Sequence, residues 1–148
     1  PGTAHIITSL LQSVIKNGTA TKVKVLKRPV AGKTGTTNNY VDAWFMGYTP
    51  ELVTGVWVGK DKDDPLGRNE TGSRAAIPIW LQFMQGALVN QPVTNFPVPD
   101  DIQFLKIQPE SGEPANFSDA ESNFELFSQE FLPEKEQPLF SRHDEKTF

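Results

Sequence analysis

Val30-Ala31-Gly32-Lys33-Thr34-Gly35-Thr36, running on through Thr37 to the turn-forming pair Asn38-Asn39, is the stretch on which the fold turns. From Ala31 to Thr37 one cation, three hydroxyls and two glycines sit together, with no acidic or bulky side chain among them. That mixture suits an exposed edge strand offering backbone N–H groups, hydroxyls and one ammonium to an anionic ligand. Glycine permits close approach to the backbone. Lys33 adds a point charge with three donors.

Working outward, Val41–Tyr48 and Leu52–Gly59 read as two more strands, rich in aromatic and β-branched residues and joined by Thr49-Pro50-Glu51. Connections this short make the strands antiparallel neighbours in a meander, with the Lys33 strand at one edge and the Val53–Gly59 strand at the other. Before the strands, Thr3–Asn17 carries Ile6, Ile7, Leu10, Leu11, Val14 and Ile15 at the spacing of one helical face, with Thr3 as N-cap and Gly18 as a left-handed C-cap. Thr21–Arg28 alternates lysines with Val23, Val25 and Leu26 and predicts a basic extended segment. After the strands, Lys60–Gly72 is a polar loop. A second helix is expected from Ser73, its N-cap, to Val89, with Ile77, Trp80, Leu81, Met84 and Leu88 on one face and Pro78 tolerated in the first turn. The fold class is therefore α+β, an antiparallel sheet with packed helices.

Charge divides the chain of 148 residues. Pro1–Val98 holds 10 Lys+Arg against 6 Asp+Glu, net +4, and Pro99–Phe148 holds 4 against 12, net −8, together the overall −4. The change falls at the prolines 92, 97 and 99, so residues 1–98 are read as a basic body and residues 99–148 as an acidic extension. Eight of the ten phenylalanines lie at or beyond Phe96, too many for a disordered tail. Ile102–Ile107 predicts a strand and Glu110–Pro114 a turn. Ser118-Asp119-Ala120-Glu121 matches a capping box, with Phe124, Phe127 and Phe131 as a helical stripe behind it, and fraying is expected beyond Pro133. The opening Pro1-Gly2 lacks an initiator Met, so a fragment of a longer chain is expected. No run of about 18 apolar residues could span a bilayer. The absence of cysteine excludes disulfides and thiolate chemistry, and the acidic balance argues against nucleic acid as a partner.

Several motifs fail on their own chemistry. Gly32-Lys33-Thr34 is not the end of a phosphate-binding P-loop, because Lys27 stands where its first glycine belongs and no helix opening follows. Asp61, Asp63 and Asp64 do not make a calcium loop, since Pro65 and Leu66 fall where a ligand and the turn glycine belong. His5 and His143 are isolated, so no metal or other cofactor is expected. Ser13-Val14-Ile15-Lys16 matches the Ser-x-x-Lys of acyl-transfer serines. Four residues with two wildcards arise easily by chance, and the solvent side of a helix explains them.

The order of blocks is more specific. Lys33-Thr34-Gly35-Thr36-Thr37 is followed by Asp42-Ala43-Trp44-Phe45-Met46-Gly47-Tyr48-Thr49-Pro50, then Val53-Thr54-Gly55-Val56-Trp57-Val58-Gly59, Thr71-Gly72 and Ala76-Ile77-Pro78-Ile79-Trp80. Together they resemble the C-terminal half of the transpeptidase domain of class A, bifunctional penicillin-binding proteins, from the first helix to about Leu88 and more faintly beyond. The resemblance implies a partial β-lactamase/transpeptidase-like fold. It makes Lys33, Thr34 and Gly35 the third active-site motif of penicillin-interacting serine enzymes. Lys33 would supply positive potential, and the Thr34 and Thr36 hydroxyls would bind the carboxylate of a D-Ala-D-Ala stem peptide or of a β-lactam. The Thr36 N–H would serve an oxyanion hole, and Gly35 would let substrate pair along the strand.

The family's nucleophilic serine and its Ser-x-Asn motif both precede the first helix of this chain. No Ser-x-Asn occurs here, and Ser13 lies too close to Lys33 to be that nucleophile. The implied protein is thus a fragment of a peptidoglycan DD-transpeptidase, partnered by the upstream half of its own domain. The whole enzyme would carry a glycosyltransferase domain and be anchored in the cytoplasmic membrane, acting on its outer, periplasmic face. The alternatives are a non-catalytic docking module that keeps the sheet, or a soluble β-lactamase or carboxypeptidase. The acidic extension and the aromatic block disfavour the last.

Overall fold

The computed structural model describes residues 1–62 and 64–133, so Asp63, His143 and the stretch expected to fray lie outside the described residues. Among the described residues two compact units form, one over Thr3–Val98 and one over 99–133.

The first unit is a three-stranded antiparallel sheet with helices. Its strands are β1 (Ala31–Thr36), β2 (Ala43–Tyr48) and β3 (Val53–Val58), in the order β1-β2-β3, the meander that the short connections demand. The register aligns Lys33 with Met46 and Met46 with Gly55. Alternation then sorts the side chains. Phe45 faces inward while Trp44 and Met46 face outward, as consecutive strand residues must. The β2–β3 turn is closed by Thr49, whose N–H donates to the Leu52 carbonyl at 2.9 Å and whose hydroxyl accepts the Leu52 N–H at 3.2 Å. This satisfies the hydroxyl of a buried residue.

The inner face is sealed by α2 (Ile77–Ala87), which buries Ile77, Trp80 and Met84. The Trp80 indole stands edge-on to Phe45, centroids 5.1 Å apart, and its Nε1–H donates to the Thr54 carbonyl at 3.0 Å. Gly47 makes this approach possible, since a Cβ there would lie 2.7–2.8 Å from the Phe45 and Trp80 rings. Ile15, Ala20, Val23 and Val30 extend the same core. At the far end of α2 the Arg28 guanidinium donates to the Leu88, Gln91 and Pro92 carbonyls, a cation placed where free carbonyls collect.

Several local expectations are corrected. Helix α1 (Gly2–Asn17) begins before Thr3, with no side-chain cap, and Gly18 is extended (φ −105°, ψ −151°) rather than left-handed. The left-handed residue comes later, at Lys27 (φ 54°), where it ends a 3₁₀ segment over Thr21–Leu26 in place of the expected extended one. Val23 and Leu26 explain the change: they are three apart, a spacing that stacks side chains in a 3₁₀ helix, and both turn toward the core. The second helix starts with a wide π turn over Gly72–Ala76, in which the Ile77 N–H bonds to the Gly72 carbonyl, and Ser73 does not cap it. Pro78 has no N–H with which to continue an α ladder back to Arg74.

The second unit is a two-stranded sheet of β4 (Ile102–Ile107) and β5 (Asn123–Ser128). The expected helix behind Ser118 is overturned. Phe124 pairs with Lys106 and Phe127 with Gln103, so residues spaced as on a helix emerge on opposite faces of a strand. Asp119 organises a loop instead. Its Oδ2 accepts the Asn116 N–H at 2.8 Å, and its carbonyl accepts the Lys106 ammonium at 2.8 Å. The expected turn before Pro114 is present, with Gly112 at φ 75°.

Candidate active-site wall on strand β1

Strand β1 brings Lys33, Thr34, Gly35 and Thr36 onto the outermost strand of the sheet, with β2 on one side and no described strand on the other. Which backbone groups face the open side follows from one hydrogen bond. The Thr37 N–H donates to the Asp42 carbonyl at 3.0 Å, so Thr37 and Asp42, one step past the last register pair Thr36 and Ala43, take the position of a hydrogen-bonded pair. Antiparallel pairs alternate between bonded and non-bonded. Thr36 opposite Ala43 and Thr34 opposite Phe45 are therefore non-bonded, and their N–H and C=O groups point away from β2. The Lys33 ammonium agrees with this direction, donating to the Thr34 carbonyl at 2.7 Å.

The side chains divide by parity. Lys33 is exposed and shares the outer face with Met46, Trp44 and Trp57. Thr34 and Thr36 leave the other face, and each hydroxyl is met by a residue remote in sequence. Thr19 Oγ1 lies 2.9 Å from Thr34 Oγ1. The Gly72 N–H donates to Thr36 Oγ1 at 3.1 Å. Gly72 cannot carry a side chain, because a Cβ there would fall on the Trp44 and Gly35 carbonyl oxygens. The end of the strand is braced by Asp42, whose Oδ1 accepts the Trp57 Nε1–H at 2.8 Å and whose N–H donates to Thr37 Oγ1 at 2.8 Å.

Sequence reading did not single out Thr19, and found Asp42 and Gly72 only within longer blocks. No periodicity marks a long-range hydrogen-bond partner. Ser13 stands apart on exposed helix surface, its hydroxyl donating to the Ser9 carbonyl of its own helix at 3.3 Å.

A cation, two partnered hydroxyls and N–H groups facing the open edge thus lie together on β1. The family described as "Penicillin binding protein transpeptidase domain" matches residues 1–85. The chain belongs to this penicillin-binding-protein transpeptidase family. It is similar to penicillin-binding protein 1A of Pseudomonas aeruginosa, at 46% identity over 132 residues, covering 88% of the chain and 16% of that relative. Penicillin-binding protein 1A of Aquifex aeolicus is 45% identical over 100 residues, 68% of the chain and 14% of that relative. The crystal structure of penicillin-binding protein 1A from Haemophilus influenzae superposes with a TM-score of 0.82 at 30% identity, covering 90% of this chain and 21% of that one. These matches carry the class A assignment and the α+β fold. The chain spans a small part of each relative. A match covering 88% of the chain must also reach past Pro99, so similarity to the Pseudomonas protein extends into the acidic stretch.

Proposed function

We propose that this chain is the ligand-clamping wall of a peptidoglycan DD-transpeptidase, which crosslinks stem peptides by acyl transfer through a serine carried on the upstream half of the same domain. The observation that carries the reading is the open edge of β1, where the N–H of Thr36 points outward beside a cation and two partnered hydroxyls. Lys33 supplies positive potential in the cleft. The Thr34 and Thr36 hydroxyls bind the terminal carboxylate of D-Ala-D-Ala or of a β-lactam. The Thr36 N–H is one of two oxyanion donors, a contribution of about 3 kcal/mol in the transition state. Gly35 lets the substrate backbone lie along the strand.

Residues 1–98 form the C-terminal half of the transpeptidase domain in this reading, and residues 99–148 its acidic extension. The outer face of the sheet supports an upstream partner. Trp44, Met46 and Trp57 are 43%, 48% and 51% exposed there, an apolar surface suited to burial against further protein. Membrane anchorage, action in the periplasm and an upstream glycosyltransferase domain are the setting that the class A relatives suggest.

Gel labelling with a fluorescent penicillin tests the reading. The longer protein should form an adduct that survives denaturation, whereas the isolated chain should form none. In the longer protein Lys33→Ala should slow acylation by ~10²-fold, the scale of losing one preorganised electrostatic partner, and Ser13→Ala should leave it unchanged. Labelling of the isolated chain would return Ser13 to consideration. No adduct on the longer protein would favour a docking module that keeps the sheet without the chemistry.

A further inference from the structure

We propose that Thr19 is a positioning residue that turns the Thr34 hydroxyl into an outward donor and so tunes the site toward anionic ligands. The inference rests on the reading of β1 as the ligand clamp. A hydroxyl has one proton and two acceptor positions, so its use depends on its neighbours. Thr36 is settled by a backbone group: the Gly72 N–H can only donate, so Thr36 Oγ1 accepts it at 3.1 Å and keeps its own proton for a ligand. Thr34 has a different partner. Thr19 Oγ1, 2.9 Å away, can donate or accept. With an anion at the edge, the favourable arrangement runs from Thr19 O–H to Thr34 Oγ1 and from Thr34 O–H to the anion, each bond polarising the next. With a neutral ligand the chain has less reason to point that way. Thr19 lies on the exposed segment after α1, 15 positions before Thr34, outside the Lys-Thr-Gly block.

The experiment uses the longer enzyme and compares acylation rates with a carboxylate-bearing β-lactam and with its methyl ester. Thr19→Val keeps the shape and removes the hydroxyl. The acid-to-ester rate ratio should fall by roughly fivefold, the worth of one modest hydrogen bond, and Thr19→Ser should restore it. Thr19→Asp should lower the ratio further, because its carboxylate claims the Thr34 proton and repels the ligand. Equal losses for acid and ester in Thr19→Val, or an unchanged ratio, would overturn the inference. Lys33→Ala separates the two levels. If it slows acylation while the Thr19→Val ratio is unmoved, only the inference fails; if it has no effect, the reading of β1 fails first.

Discussion

The three-stranded sheet of the first unit and the two-stranded sheet of the second draw on the same kinds of residue, and they are held in different ways. In the first, Phe45 is fully buried beneath Trp80, whose indole nitrogen is itself hydrogen-bonded. In the second, Phe104 and Phe124 on one face of the β4–β5 pair are 56% and 58% exposed. Aromatic content therefore does not by itself make a core. What distinguishes the sheets is a helix that seals one face of the first, admitted by the missing side chain at Gly47. Among the described residues the two-stranded sheet has no second layer of its own, and such a pair is the weaker unit.

The largest expected effect tests the seal. Trp80→Ala should cost about 3–5 kcal/mol, a large part of the stability of a small domain, read by urea unfolding. Amide exchange should show β1–β3 losing protection while β4–β5 keeps its own. Equal loss in both would make the sheets one cooperative unit and end the contrast. A smaller effect is expected at the turn. Thr49→Val removes the acceptor of the Leu52 N–H and should cost about 1–2 kcal/mol, with protection lost first at the β2–β3 connection. The smallest lies in the second unit. Phe124→Ser should change stability by less than about 0.5 kcal/mol, since its ring loses mainly the contact with Phe117, centroids 6.0 Å apart. A cost of several kcal/mol there would place Phe124 in a core after all.

The meander was legible because connections of a few residues leave only antiparallel pairing. Which face is buried was not, since Ala43-Trp44-Phe45-Met46 is apolar at every position, and the packing of Trp80 on Phe45 decides it. The helical face of Ile77, Trp80, Met84 and Leu88 was legible for a different reason, a period with a single solution. Thr21–Leu26 was misread because Val23, Val25 and Leu26 satisfy an alternating and a three-residue period about equally. Phe124, Phe127 and Phe131 fit a helical stripe, yet pairing with Ile102–Ile107 prevailed, and local spacing carries no record of a partner strand. Of the candidate site, Lys33 to Thr36 could be read as a contiguous motif. Thr19 and Gly72 could not be assigned a role, because they meet it across 15 and 36 positions.

The placement of the tryptophans makes this chain its own optical probe. Trp44 and Trp57 stand in contact with water on the outer face, their rings 6.3 Å apart, while Trp80 is shut inside the inner layer. Emission from the first two reports on whatever settles over that face. Emission from Trp80 stays constant until the sheet itself opens. A blue shift with retained acrylamide-resistant signal would mark docking, and loss of the resistant signal would mark unfolding, so the two events can be told apart without any added dye.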